Sequence, residues 1–212
     1  MEKSFGKKID LVNKFVCEEL KNDYSGHDIS HINRVVNNAY KILKKEKGNI
    51  LIVITSCYLH DCIDEKLFAD PSTQISKIRD LLNNIGYKND EIEEIIYIIE
   101  HVSFSKGNIE MVDNINLKIV RDADRLDALG AIGIIRCIEY GNSRNRKFYD
   151  ETNIKNIKNK TSFNKISNTS LSHFYEKLLF LEKYMLTSVG KKMAKKRTKF
   201  LKKFLLEFYK EI

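Results

Sequence analysis

The scarcity of helix-breaking residues is the feature that most limits how this chain can fold. Its 212 residues include one proline and nine glycines, whereas Leu, Ile, Lys and Glu, which occur readily in helices, are abundant. The composition therefore predicts an all-α protein. A chain of this length can bury a sizeable core. We find no internal repeat and no second core, so we expect a single domain over residues 1–212.

Apolar residues recur at helical spacing through most of the first 140 residues, and we expect this region, from about residue 8, to form the core. The predicted helices are 8–21, one that begins near Asp28 or Ser30 and ends before Gly48, 49–62, 73–85, 90–103 and about 114–140. The third, NILIVITSCYLHDC, is a nearly continuous apolar run that a buried strand would also explain. A helix is favoured because the run is long for a strand and its surroundings are helical.

The carboxyl-terminal third differs from the rest of the chain in composition and in the spacing of its apolar residues. Residues 141–170 are polar, basic and weakly periodic, which is typical of a functional lid or a disordered loop. From Leu171 the pattern predicts two long helices that meet near Ser188–Gly190 and pack on the core. The last helix is rich in Lys, and packing is the simpler explanation of its regularly spaced apolar residues, which are Met193, Phe200, Leu201, Phe204, Leu205 and Phe208.

Charge and targeting features narrow the partners only partly. The net charge of +8 suits phosphates, nucleic acid or acidic membranes, but a solvated Lys-rich surface explains it equally well. The amino terminus has no secretory signal pattern, and the apolar run Ile50–Leu59 is too short to span a bilayer. The four cysteines form no CxxC pair and have apolar flanks, so we expect reduced, buried thiols, a cytoplasmic protein and no membrane partner.

Histidines and carboxylates suggest a metal site. His27 and His31 are four residues apart and could share one helix face. His60 and Asp61 follow the most apolar segment of the chain, where an ionised carboxylate is costly unless it is paired or bound to a metal. Asp64 comes one helical turn after His60. These residues leave open which imidazoles would bind an ion.

A third group of polar residues lies in VRDADRLDALGAIGIIR, residues 120–136. Three aspartates alternate there with two arginines and precede small residues that would let another helix approach closely; the five are Arg121, Asp122, Asp124, Arg125 and Asp127. A surface ion-pair network would also explain this run. Mixed imidazole and carboxylate ligands suit Mn²⁺, Fe²⁺, Co²⁺, Ni²⁺ or Zn²⁺ better than Mg²⁺ or Ca²⁺.

The order of these groups resembles the H…HD…D signature of the HD-domain phosphohydrolase superfamily. Five segments are similar to its small bacterial YedJ/YpgQ-like branch: GHDISHINRV (26–35), LHDCIDEK (59–66), VSFSKG (102–107), RDADRLDALGAIGIIR (121–136) and HFYEKLLFLEKYMLTSVGKKMAKKR (173–197). The resemblance implies an all-α fold and one divalent ion, with Mn²⁺ the first candidate and Fe²⁺, Co²⁺, Ni²⁺, Zn²⁺ or Mg²⁺ as alternatives. The ligands that it implies are His31, His60, Asp61 and Asp124.

The resemblance also implies hydrolysis of a phosphate ester or anhydride, and some members of the branch are similar to nucleotide pyrophosphohydrolases. We therefore expect a nucleoside triphosphate to be cleaved to a monophosphate and pyrophosphate, by a monomer or homodimer. Asp64 is the candidate general base, acting with His60 and Asp61. Asp122 and Asp127 are candidates to support the site or to replace Asp124. The predicted substrate contacts are His27, His101, Lys106, Arg125 and Lys177.

Two other functions fit parts of the sequence. A cyclic-nucleotide or ester phosphodiesterase would use the same metal chemistry in a different pocket. A non-catalytic module that binds a ligand or nucleic acid would have no need of all four ligands, so we expect an enzyme, with nucleic acid an improbable partner. Residues 141–170 are more basic and richer in Asn than the family pattern.

Overall fold

The computed structural model describes residues 2–21, 28–64, 68, 70–102, 113–151 and 169–212. The regular elements of these residues are all helices, and no strand occurs among them. The predicted all-α class is confirmed. Within the described part of the chain, no helix is long and apolar enough to cross a membrane.

The chain divides into two compact units, Met1–Asp124 and Arg125–Ile212. Six helices begin in the first unit, and the last of them crosses the boundary: α1 Glu2–Glu19, α2 Ile29–Leu43, α3 Ile50–Leu59, α4 Pro71–Asn84, α5 Asn89–His101 and α6 Ile115–Asp127. Most of these helices lie within a few residues of their predicted bounds, although α1 begins six residues earlier than predicted. The single domain over residues 1–212 stays a prediction.

Helix α3 is the centre of the first unit. Residues 52–57 are all buried, and the helix packs against α1, α2 and α5. Neighbours on several sides explain why its sequence is apolar all round rather than on one stripe. Asn49 caps its start, because the Asn49 side-chain oxygen accepts hydrogen bonds from the backbone N–H groups of Leu51 (3.0 Å) and Ile52 (3.3 Å). The alternative of a buried strand is therefore wrong.

The predicted helix over 114–140 is wrong in one respect, because two helices occupy this region. Helix α6 ends at Asp127, and α7 covers Gly130–Ser143. Between them Leu129 is extended, and Gly130 has a φ of +76°. A Cβ atom at Gly130 would lie 3.2 Å from Cγ of Arg197. The turn therefore needs glycine for its left-handed backbone and for the close approach of a neighbouring helix.

The second unit continues from α7 with α8 Ser170–Glu176, a 3₁₀ helix Leu178–Tyr184 and α9 Ser188–Glu211. The prediction of two long carboxyl-terminal helices is thus right only for α9. The first is interrupted at Lys177, whose backbone (φ −136°, ψ −58°) is not helical. Thr187 caps α9 by accepting a hydrogen bond from the Gly190 N–H over 2.9 Å. Most of the predicted lid, residues 152–168, lies outside the described residues.

Candidate metal centre

Helix α2 carries the first predicted ligand on its buried side. Asp28 precedes the helix, and its side chain accepts a hydrogen bond from the backbone N–H of His31 over 2.9 Å. This N-cap begins the helix two residues before His31. The His31 imidazole is therefore presented from the first turn of α2, and its side chain is 1% exposed.

The second and third predicted ligands lie where α3 ends. His60 is the residue after the helix, and His60 to Ile63 continue the chain in turns. Nδ1 of His60 is 2.8 Å from the backbone carbonyl of Cys57. A carbonyl only accepts hydrogen bonds, so Nδ1 carries the proton and Nε2 is left with a lone pair. This hydrogen bond orients the ring as expected of a metal-binding histidine.

Four side chains from three helical segments meet at one point in the first unit. Nε2 of His31 lies 3.3 Å from Nε2 of His60, 3.4 Å from Oδ2 of Asp61 and 3.6 Å from Oδ1 of Asp124. Nε2 of His60 lies 3.4 Å from Oδ1 of Asp61 and 3.8 Å from Oδ1 of Asp124. Ligand atoms of His31, His60 and Asp124 all lie within 4.8 Å of one another.

These spacings fit a shared cation better than a hydrogen-bonded cluster. All five distances exceed the 2.7–3.2 Å that is usual for N–H···O hydrogen bonds. Ligands about 2.1 Å from one ion are about 3.0 Å apart on adjacent octahedral positions and about 3.4 Å apart on a tetrahedron. Two imidazoles and carboxylate oxygens are also the donors that transition metals prefer over Ca²⁺ or Mg²⁺. His31, His60 and Asp124 could therefore hold a divalent metal ion.

The four side chains differ in their access to solvent. Those of His31, His60 and Asp61 are 1%, 3% and 9% exposed, whereas that of Asp124 is 29% exposed. The imidazoles thus form the buried back of the cluster. A water molecule or a substrate would reach the cluster from the side of Asp124.

Comparisons with known proteins identify the family. The protein YpgQ of Bacillus subtilis is 31% identical over 208 residues, a match that spans 97% of this chain and 94% of YpgQ. Residues 28–129 match the family model for the HD domain. The chain belongs to the HD-domain family. Within that family it falls in the YpgQ-like branch, as the sequence predicts.

Two solved structures extend this likeness to the whole fold. An HD-superfamily hydrolase from Bacillus thuringiensis is 34% identical and superposes with a TM-score of 0.78, with 98% of this chain and 97% of that chain covered. YpgQ in complex with ADP is 30% identical, with a TM-score of 0.78 and coverage of 96% and 97%. The HD fold, together with a cluster that could hold a divalent ion, supports a metal-dependent hydrolase.

The remaining aspartates of the α6 region do not form a surface network. Asp122 is fully buried, and Asp127 is 1% exposed. In the second unit, Asp127 pairs with Arg136 over 2.9 Å. Arg125 is 6% exposed, and its Nη1 donates to the backbone carbonyl of Tyr184 over 2.5 Å. Substrate binding by Arg125 and support of the centre by Asp122 and Asp127 stay predictions.

The other predicted site residues differ in what they contact and in whether the structure describes them. His101 ends α5; its Nδ1 hydrogen-bonds the Tyr97 carbonyl over 2.7 Å, and the two rings stack with centroids 4.2 Å apart. Lys177 follows α8, and its backbone N–H donates to the His173 carbonyl. Asp64 is half-buried, and its N–H donates to the Asp61 carbonyl over 3.2 Å. His27 and Lys106 lie outside the described residues.

Two supporting residues escaped the sequence reasoning. The buried Asn38 side chain donates to the backbone carbonyl of Ala123 over 3.0 Å, which joins α2 to α6 next to Asp124. The guanidinium of Arg121, which is 1% exposed, donates through Nε and Nη2 to the carbonyl of His101 at 3.0 and 2.7 Å. Only the presence of Asn38 on the apolar side of α2 could have signalled the first contact.

Among the described residues, no cysteine joins the cluster of candidate ligands. Cys57 and Cys62 are fully buried, and burial raises the pKa of both thiols well above their usual range. The predicted burial holds for Cys57 and Cys62, whereas Cys17 is exposed and Cys137 is only partly buried.

Proposed function

We propose that this protein is a metal-dependent phosphohydrolase that acts on nucleotides. The observation that carries the proposal is the convergence of His31, His60 and Asp124, whose ligand atoms all lie within 4.8 Å of one another, with Asp61 beside both imidazoles. Membership of the HD family supports a hydrolase. The ADP bound to the related YpgQ supports a nucleotide as the substrate. We expect Mn²⁺ as the ion.

The chain's own residues have distinct roles in this proposal. His31, His60, Asp61 and Asp124 hold the ion, and the Cys57 carbonyl keeps the His60 lone pair directed at it. When bound, a divalent ion lowers the pKa of a coordinated water and polarises a phosphoryl oxygen. Asp124, as the most exposed of the four, borders the side from which the phosphate enters.

Asp64 is the general base in this proposal. Its carboxylate is three residues beyond Asp61 in the turns that follow α3, and it is half-buried. From such a position it can accept a proton from the attacking water without being a ligand. Asp64→Asn should then leave metal binding within about twofold of wild type and reduce kcat by about 100-fold or more. Asp124→Asn should weaken metal binding itself, so the two variants separate the two roles.

The reaction that we propose is cleavage of a nucleoside triphosphate to a monophosphate and pyrophosphate. The test is to remove metal with a chelator, restore Mn²⁺ and follow a panel of nucleoside triphosphates, diphosphates and cyclic nucleotides by phosphorus NMR. Pyrophosphate should be released only with metal. Orthophosphate as the sole product, or hydrolysis of cyclic nucleotides alone, would contradict the proposed reaction.

A matched pair of variants makes this test specific. Asp124→Asn should abolish turnover, whereas Asp80→Asn, which changes an exposed aspartate on α4, should leave it unchanged. If wild type and Asp124→Asn both lack turnover on the whole panel and neither retains metal, the enzyme hypothesis fails.

A further inference from the structure

Helix α9 carries large apolar side chains outside its core-facing side that the fold does not bury. Its core-facing side is buried at Ala194, Thr198, Leu201 and Leu205. Outside that side, Phe200 is 49% exposed and Leu206 is 66% exposed; the two residues lie about 120° apart around the helix, with lysines between them. Packing therefore explains Leu201 and Leu205, as predicted, but it does not explain Phe200. A large aromatic and a leucine at this exposure on one helix indicate a contact surface.

A groove of about 880 Å³ runs along α9 beside these two residues, within the second unit. We call it the α9 groove. From Met193 to Leu206 it follows the helix for about 20 Å. Its apolar lining is Gly130, Ala131, Met193, Phe200 and Leu206, and its cationic lining is Lys196, Arg197, Lys199, Lys202 and Lys203. None of these ten residues, which are those that the structure describes in the lining, is acidic.

The positive charge of the α9 groove is largely uncompensated. Arg197 is occupied, since its Nη1 donates to the backbone carbonyl of Leu126. The four lysines are exposed, and none of them forms an ion pair with any residue in the described ranges. Four exposed lysines beside an apolar lining therefore fit an occupant that is both apolar and anionic.

We propose that the α9 groove binds an acidic amphipathic helix of a partner protein. A helix laid along α9 would bury apolar side chains on Met193 and Phe200, which share one side of α9, and on Leu206 further round the helix, and it would place carboxylates beside the lysines between them. This is the helix-in-groove mode of recognition, in which apolar anchors recur at helical spacing. About 13 residues of partner helix would cover the 20 Å of the groove.

The same features disfavour other occupants. A second copy that used the same face about a two-fold axis would bring two sets of lysines together, and like charges repel. Single-stranded nucleic acid binds through several stacking aromatic side chains, whereas Phe200 is the one aromatic residue among the described residues that line the groove. A helix that binds a bilayer inserts a protruding apolar face, whereas the apolar residues here line a groove.

The test uses a designed peptide as the partner. A fluorescein-labelled helix of about 16 residues carries a leucine stripe flanked by glutamates, and a control peptide replaces every glutamate by lysine. Fluorescence anisotropy should detect binding of the acidic peptide only. The variant Lys196→Glu/Lys203→Glu should weaken it at least about tenfold. The matched variant Lys191→Glu/Lys192→Glu changes the same charge on exposed lysines of α9 outside the groove and should alter binding less than about twofold.

A spectroscopic readout locates the bound peptide. With ¹³C-methyl methionine labelling of the full chain, the acidic peptide should shift the resonance of Met193 and leave that of Met185, which is 2% exposed, in place. Phe200→Ser gives a second variant without a charge change, and it should also weaken binding. Equal binding to both charge variants, an unmoved Met193 signal, or groove-dependent binding of phosphatidylglycerol vesicles or duplex DNA in place of the peptide would overturn the proposal.

Discussion

The side-chain amide of Asn38 donates a 3.0 Å hydrogen bond to the backbone carbonyl of Ala123. This bond ties the helix that carries His31 to the helix that carries Asp124, one residue before that aspartate. Both partners are buried, so water cannot replace the lost donor if Asn38 is truncated. Asn38 therefore has a structural reason to influence the metal centre although it is not itself a ligand.

Asn38→Ala should weaken Mn²⁺ binding by about 10-fold or more, as expected for a residue that positions a ligand. It should also lower the free energy of unfolding by about 1–3 kcal/mol, because the Ala123 carbonyl loses its donor. Isothermal titration with Mn²⁺ and urea unfolding measure the two effects. Asn37→Ala, at the exposed neighbouring position of α2, is the control; the same loss in both variants would show that the Ala123 contact is unimportant.

The turn between α6 and α7 gives a prediction with an internal control. Gly130 and Gly86 both have a positive φ, of +76° and +79°, but only Gly130 has atoms near the site of an added Cβ. Gly86→Ala should cost about 1 kcal/mol, the usual penalty of a left-handed alanine. Gly130→Ala should cost at least about 1 kcal/mol more, because Arg197 is held by the Leu126 carbonyl and cannot easily give way. Equal losses in urea unfolding would contradict the close approach.

Arg121 should be intolerant of a charge-conserving change. Its two hydrogen bonds to the His101 carbonyl require the planar fork of a guanidinium, which a lysine lacks. Arg121→Lys should therefore lower the free energy of unfolding by about 2 kcal/mol or more. Arg79, which pairs with Glu93 at the surface, is the reference: Arg79→Lys should cost less than about 1 kcal/mol. Chemical unfolding of both variants measures these losses. A smaller loss of unfolding free energy for Arg121→Lys than for Arg79→Lys would refute the prediction.

His173 should make stability depend on pH. Burial, assisted by Lys177, lowers the pKa of His173 from 6.5 to about 4. Between these values the unfolded chain binds a proton that the folded chain does not, so the free energy of unfolding falls as the pH drops from 6.5 towards 4. One such proton contributes a slope of at most about 1.4 kcal/mol per pH unit. In urea unfolding over this range, His173→Gln should remove that part of the slope; parallel curves for the two proteins would contradict it.

The sequence predicts features that depend on neighbouring residues better than features that depend on contacts between residues far apart in the chain. The periodic apolar residues of α2 and the continuous run of α3 are local signals, and both helices were predicted within a few residues. The break at Gly130 was not, because a glycine is tolerated inside a helix and nothing nearby in the sequence indicates that Arg197 packs against it. Asn38 was missed for a similar reason, since its acceptor is a backbone carbonyl that lies far along the chain.

The candidate ligands illustrate both what a local sequence pattern predicts and what it leaves open. Burial after an apolar run was a local reason to select His60 and Asp61. Residue chemistry alone left three aspartates open, and family resemblance favoured Asp124. The structure brings Asp124 to the two imidazoles and buries Asp122 completely. Such a distinction depends on the rotation of α6 about its axis, which tertiary packing determines.

The candidate ligands are residue 31 on α2, residues 60 and 61 directly after α3, and residue 124 on α6. A growing chain on the ribosome therefore has no complete centre until α6 has left the exit tunnel and packed against α2 and α3. Because an ion bound by all four side chains would stabilise only the assembled state, metal loading would be a late event of biosynthesis. If the ion were scarce, a larger fraction of newly made protein would remain unfolded and open to proteases. This loss would come before any loss of activity in molecules that had already matured.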